Sequence, residues 1–239
     1  MNNTYELLEL SASPAELGAV MADMDRDQFF GLGEALEISG ALAAPTETAR
    51  QNVVQLTKQL AKYGLQRQPK SLRTYVSLPS GTTTTSATLF EEKPAGATIF
   101  STNIRGSNGL PSPERLFVDG ICACWKPDVP ALTNPLDELK ALRYCAGSFV
   151  VGDKEMLDIP DLTWCPWGNP IAATFDNSAA PTEHSWQVAM GGGLRLAQPI
   201  VLRPTVNFRL NLVWEPGINP SADGRVYVAL TGPSWRAIQ

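Results

Sequence analysis

Histidine is nearly missing from this 239-residue chain: His184 is the only one. A nucleophilic triad of the usual kind needs a base of this type held beside a serine or cysteine by the fold. The stretch "PTEHSW" only sets Glu183, His184 and Ser185 side by side in sequence. On a strand such neighbours point to opposite faces, so His184 is read as a loop residue without a catalytic role. Cysteine is also scarce. Cys122, Cys124, Cys145 and Cys165 contain no Cys-x2-Cys pair, which is the spacing a structural zinc site would show. Cys122 and Cys124 stand two apart, on one face of a strand, and the four are read as buried thiols of a reducing compartment. No metal and no cofactor is expected.

Basic charge is in short supply. Lys and Arg number 19 against 24 acidic residues, for a net charge of −5, and neither end carries a basic run. Phosphate backbones are held by clustered Lys and Arg, so no sequence-specific nucleic-acid binding is expected. No apolar stretch is long enough to be a membrane span. The opening "MNNTYELLEL" has neither a basic start nor an apolar core, so it is not expected to be a secretion signal.

Glycine and proline, by contrast, are plentiful at 19 each, which predicts frequent turns and short strands. The N-terminal part reads as helix. Ser13, Pro14 and Glu16 have the spacing of a capping box with proline at the first helical position. Leu17, Val20, Met21 and Met24 follow at helical intervals, and Phe29, Leu32 and Leu36 continue after a break near 25–27. A second helix opens at Pro45 and Thr46 and ends at Gly64, with Pro69 beyond it. Its apolar stripe, Val53, Leu56, Leu60 and Tyr63, leaves the remaining faces polar. Such a stripe suits either the chain's own sheet or a helix seam with a neighbouring subunit, and it is carried forward as a candidate subunit contact.

After Pro69 the texture changes to β-branched runs broken by turns. Strands are predicted around Pro79–Gly81 and at 97–102, 116–125, 143–151, 170–175, 185–190, 194–202, 206–214 and 225–231, with one short helix at 135–142 capped by Asn134. The last two alternate most cleanly: Val206, Phe208, Leu210, Leu212 and Trp214, then Val226, Val228 and Leu230. Period-two alternation marks one buried face. Many short strands with almost no helix between them predict a mainly β fold, a single antiparallel barrel or sandwich. The division expected is a helical arm over residues 1–68 and a β domain over 69–239.

Chemistry is hard to find in this framework. "GDKEMLDIPDLTW" brings Asp153, Glu155, Asp158 and Asp161 together. Paired acids such as Asp158 and Asp161 could drive glycoside hydrolysis, but the run reads as a solvated loop broken by Pro160. "MGGGLRL" lacks the helix that a phosphate loop needs after its glycines, and reads as a turn or bulge. The tryptophans are more suggestive. "DLTWCPWGNP" sets Trp164 and Trp167 in one proline-rich loop. They could stack on sugar rings, as in a carbohydrate-binding sandwich, or anchor a subunit contact, where tryptophan is enriched. No set of sugar-binding polar residues accompanies them, which favours the contact.

The C-terminal segments "GGLRLAQPIVLRPTVNFRLNLVW" and "GRVYVALTGPSWRAIQ" resemble the closing strands of jelly-roll major capsid proteins of small tailless icosahedral bacteriophages. There an apolar strand passes through a proline to a second strand, and a closing V-x-V-x-L-x-G-x-x-x-R strand follows. In this chain those positions are Val226, Val228, Leu230, Gly232 and Arg236. The resemblance implies a jelly-roll shell subunit rather than an enzyme. Such a subunit would be made in the host cytoplasm and would self-associate into capsomers of a virion, beside other virion proteins or an internal membrane.

Overall fold

Side-chain caps start each of the three described N-terminal helices. The computed structural model describes residues 13–39, 42, 45–99, 101–104, 109–128, 135–165, 173–175, 184–186 and 193–238. In α1 (Pro14–Asp23) the Ser13 hydroxyl accepts from the Glu16 backbone N–H, and the Glu16 carboxylate accepts from the Ser13 N–H at 2.7 Å. Asp25 and Gln28 repeat this reciprocal cap at α2 (Arg26–Ile38). Thr46 caps α3 (Glu47–Lys62), accepting from the Ala49 N–H at 3.1 Å. Each such cap satisfies donors that a helix start leaves orphaned and contributes about 1 kcal/mol.

The β part comprises β1 (Leu65–Leu78), β2 (Thr84–Leu89), β3 (Arg115–Pro127), β4 (Cys145–Val151), β5 (Lys154–Ile159), β6 (Ala173–Phe175), β7 (His184–Trp186), β8 (Leu194–Leu202), β9 (Phe208–Ile218) and β10 (Gly224–Ala237), with α4 (Pro135–Arg143) between β3 and β4. Two antiparallel four-stranded sheets result, ordered β1-β10-β3-β8 and β2-β9-β4-β5, and β6 pairs with β7 separately. The fold is thus mainly β, in the manner of a β-sandwich. Leaving β6 and β7 aside, the pairing is nested. The first strand pairs with the last, β2 with β9, β3 with β8, and β4 with β5.

The alternation predicted for the closing strands sorts their two faces. Leu210, Leu212, Val226, Val228 and Leu230 are fully buried and share one core with Leu116, Val118, Phe149 and Leu202. Each such side chain contributes roughly 1.5–3 kcal/mol through removal from water. Trp214 joins them, its indole Nε1 donating to the Ala141 carbonyl of α4 at 2.9 Å.

A second core lies on the other face of the β1-β10-β3-β8 sheet. Leu65, Phe117 and Trp235 pack there with Met21, Phe29, Phe30, Leu32, Leu36, Leu56 and Leu60 from the helices. The helices therefore share an apolar interior with the sheet.

Three local readings differ from expectation. β1 begins at Leu65, with Pro69 inside it. Proline is tolerated because β1 is an edge strand, where one side of the ladder needs no donor. The described residues of 97–102 form a turn instead of a strand: the Ser101 hydroxyl and the Thr98 backbone bond one another, and the Ser101 and Thr102 N–H groups return to the Thr98 carbonyl. Asn103, just beyond, lies along the β1 edge. Its Oδ1 accepts from the Arg73 N–H at 2.7 Å and its Nδ2 donates to the Ser71 carbonyl at 2.5 Å, so one side-chain amide stands in for a neighbouring peptide and blunts the edge. Finally, residues 154–159 are strand β5, not a loop. Its polar residues suit a sheet edge with one solvated face.

Candidate assembly surface

Part of the β1-β10-β3-β8 sheet is covered within the chain by α2. Arg67, Trp235 and Arg115 are cross-strand neighbours in one row over β1, β10 and β3. α2 lays Glu34 and Glu37, one helical turn apart, over this row. Glu37 accepts from Arg67 through both oxygens, at 2.7 and 3.0 Å, and from the Trp235 indole at 3.1 Å. Glu34 takes Arg115 at 2.7 Å on one oxygen and Arg203 at 2.9 Å on the other. The Arg115 guanidinium also lies 4.6 Å from the centre of the Phe30 ring. Glu37 is only 4% exposed, so its charge is acceptable because it is fully hydrogen-bonded. Gly33 leaves room for the Trp235 ring, which would come within 2.7 Å of any Cβ placed there.

The sequence gives little warning of this latch. Its only signal there is two acids on the same helical face as Phe30 and Gly33, a face that is otherwise apolar.

The stripe carried forward as a subunit contact lies inside the same layer. Leu56 and Leu60 are fully buried, while Val53 and Tyr63 are half-buried against the same cluster. The Tyr63 ring stacks on Phe29 at 5.2 Å. The chain's own helices and sheet cover this side of α3, and Val54 is the large apolar residue of α3 left exposed.

The closing-strand positions fall into two groups. Val226, Val228 and Leu230 form the inner face of β10. Gly232 sits at a bulge between β10 and β3 with φ 156°, where a Cβ would overlap the Phe117 carbonyl oxygen. Only glycine allows that close backbone approach. Arg236 is half-buried and lines a cavity.

The acids weighed for catalysis do not converge. Asp158 is exposed on β5. Asp161 caps a 3-10 turn over Leu162–Trp164, accepting from the Thr163 N–H at 2.8 Å. Among the described residues no group of three or more His, Cys, Asp or Glu could hold a metal ion. Burial pushes the Cys124 thiol up to about 11 and Cys165 to about 12, and raises Cys145 further still. These thiols are protonated at neutral pH and poorly nucleophilic. No helix among the described residues is long and apolar enough to cross a membrane.

Ile99, Ile238, Val54 and Met156 are exposed singly, and the other large exposed apolar residues lie on elements around the start of β4. Trp164 is 59% exposed, and Tyr144 and Leu136 are exposed on the turn into β4 and on α4. α4, the 3-10 turn and β4 touch one another. Val213 is exposed on β9 opposite Ala146, two residues beyond Tyr144. Trp167, Asn134 and Glu183 lie outside the described residues. His184 belongs to β7, where it pairs with Phe175 of β6 in register. No protein-family model matches the chain, and no curated protein matches it.

Proposed function

We propose that this chain is a jelly-roll shell subunit that self-assembles into capsomers of an icosahedral virion. The observation that carries the reading is the nested strand pairing, first with last and inward to the β4–β5 hairpin. A long antiparallel hairpin rolled over itself would give this order, which supports a jelly roll. The closing-strand resemblance points the same way, since Val226, Val228 and Leu230 face the core between the sheets and Gly232 sits at the bulge between β10 and β3.

Function in such a subunit is association. Two layers of packed core, one between the sheets and one under the helices, give a rigid block, and a covered β1 edge discourages uncontrolled strand pairing. Contacts that are weak singly become stable when symmetry repeats them. The contact proposed here is the exposed group Tyr144, Trp164 and Val213, with Trp164 as anchor. Other virion proteins or an internal membrane would lie beyond it.

Negative-stain microscopy of the purified full chain tests this reading. Rings or closed shells are the predicted result; a monodisperse single chain at high concentration contradicts it. The exposure of Trp164 also favours a second reading, a carbohydrate-binding sandwich. That reading predicts retention on an insoluble polysaccharide that Trp164→Ala abolishes, with no particles in the microscope.

A further inference from the structure

At the end of the sandwich where β1 starts and β10 finishes, a cavity of about 860 Å3 opens between the strands and the segment 109–114. That volume falls within the roughly 300–1,000 Å3 of small-molecule sites. Its apolar wall is built from Phe90, Phe208, Ile104 and Leu110, all buried residues of the inter-sheet core. Phe90 holds a left-handed backbone conformation, φ 71°, uncommon for a bulky side chain. Its ring packs on Phe208 with centroids 6.1 Å apart. A residue kept in such a conformation is over-determined by its surroundings, a circumstance that clusters at ligand sites.

Among the described residues, the charged side chains lining the cavity are Lys70, Glu114 and Arg236. Lys70 and Glu114 neutralise one another in a direct ion pair. Arg236 has no such partner: its Nε is buried without a hydrogen-bond acceptor, and among the described residues no carboxylate lies within ion-pair distance. The contrast with Arg67, Arg115 and Arg203 is direct, because each of those meets Glu34 or Glu37. This half-buried guanidinium lines the same cavity as the aromatic wall, and a carboxylate or similar anion is the group that pairs best with it.

We propose that this cavity is a binding site for a small amphiphilic carboxylate, with the apolar tail against Phe90 and Phe208 and the carboxylate on Arg236. The ligand bridges the ends of β1 and β10 to the segment 109–114, so its binding tightens the end of the sandwich.

The test uses the full-length protein with dodecanoate, kept below its micelle concentration, and dodecanol as the uncharged comparator. Calorimetry should show saturable binding of one dodecanoate per chain, at least tenfold tighter than dodecanol. Arg236→Ala should bring dodecanoate down to the level of dodecanol, and Arg236→Lys should keep most of the preference. A second readout needs no variant. In a carbon-13 titration of carboxyl-labelled dodecanoate, the bound carboxyl should titrate below its value in solution, because an adjacent guanidinium favours the ionised form. Absence of saturable binding, equal affinity for acid and alcohol, or an unshifted carboxyl titration each overturns the proposal.

Discussion

The indole nitrogen of Trp235 donates to the carboxylate of Glu37 across 3.1 Å, joining the closing strand to the second helix over 198 residues of sequence. The same oxygen accepts from Arg67 at 2.7 Å. Removing the carboxylate would leave both a guanidinium and an indole N–H buried without an acceptor. Glu37→Ala is therefore expected to lower stability by about 3–5 kcal/mol, the cost typical of breaking one side of a buried ion pair. Urea unfolding followed by tryptophan fluorescence measures it, and a loss under about 1 kcal/mol would mean the latch is solvated.

Gly232 offers a steric test. A Cβ at this position would overlap the Phe117 carbonyl, and backbone cannot step aside as a flexible side chain can. Gly232→Ala is expected to cost about 3 kcal/mol, the upper end of what overpacking usually costs, and to speed amide exchange across the β10–β3 pairing. Gly152, which also has positive φ but has nothing within 4 Å of its would-be Cβ, serves as the control and should lose much less on substitution by alanine.

The helical spacing of Leu56 and Leu60 suits a contact with another subunit, in which case charging them would abolish assembly and leave folding intact. Their full burial under α1 and α2 moves the effect to folding. Truncating a core leucine costs about 2–5 kcal/mol before any charge is buried, against a typical total of about 5–15 kcal/mol. Leu56→Asp with Leu60→Asp should therefore melt at least the helical layer, seen as lost helical circular dichroism and an early, low-temperature transition.

The thiols give a pH prediction. Folding raises Cys124 to about 11 and Cys165 to about 12 from an ordinary value of 9.0. The folded chain thus keeps protons that the unfolded chain releases. The associated stability is fully present below pH 9 and is lost as pH rises through 11–12. Urea midpoints should fall over that window, and less steeply in Cys124→Ser. At pH 8 a thiol reagent should label Cys124 about 100-fold more slowly in the folded protein than in the urea-unfolded chain. Raising the thiol from 9.0 to about 11 cuts its thiolate fraction by that factor.

Much of the architecture is legible in local pattern, because local pattern is what sets it. The Ser13 and Thr46 caps depend on residues three apart, and the alternation of β9 and β10 depends on neighbours two apart; both stand in the structure as read. Two kinds of feature are not legible this way. Strand β5 reads as a loop because an edge strand with a wet face has a composition close to that of a loop. The Glu34–Glu37 latch is hidden because its arginines come from positions 67, 115 and 203, which only the folded sheet brings into one row. The cavity at Arg236 is hidden for the same reason: the sequence presents that arginine as part of a strand motif, and only the fold leaves it without an acid among the described residues.

The central claim is that copies of this chain meet through the exposed apolar group around Trp164, while the helical layer belongs to each copy's own fold. Sedimentation velocity of the full chain beside a Tyr144→Ser, Trp164→Ala double variant tests it most directly. Fast-sedimenting assemblies are expected for the parent chain, single chains for the variant, and the same Tm for the folded unit of both. A parent chain that stays single at the highest attainable concentration, or a variant that assembles as the parent does, would contradict it.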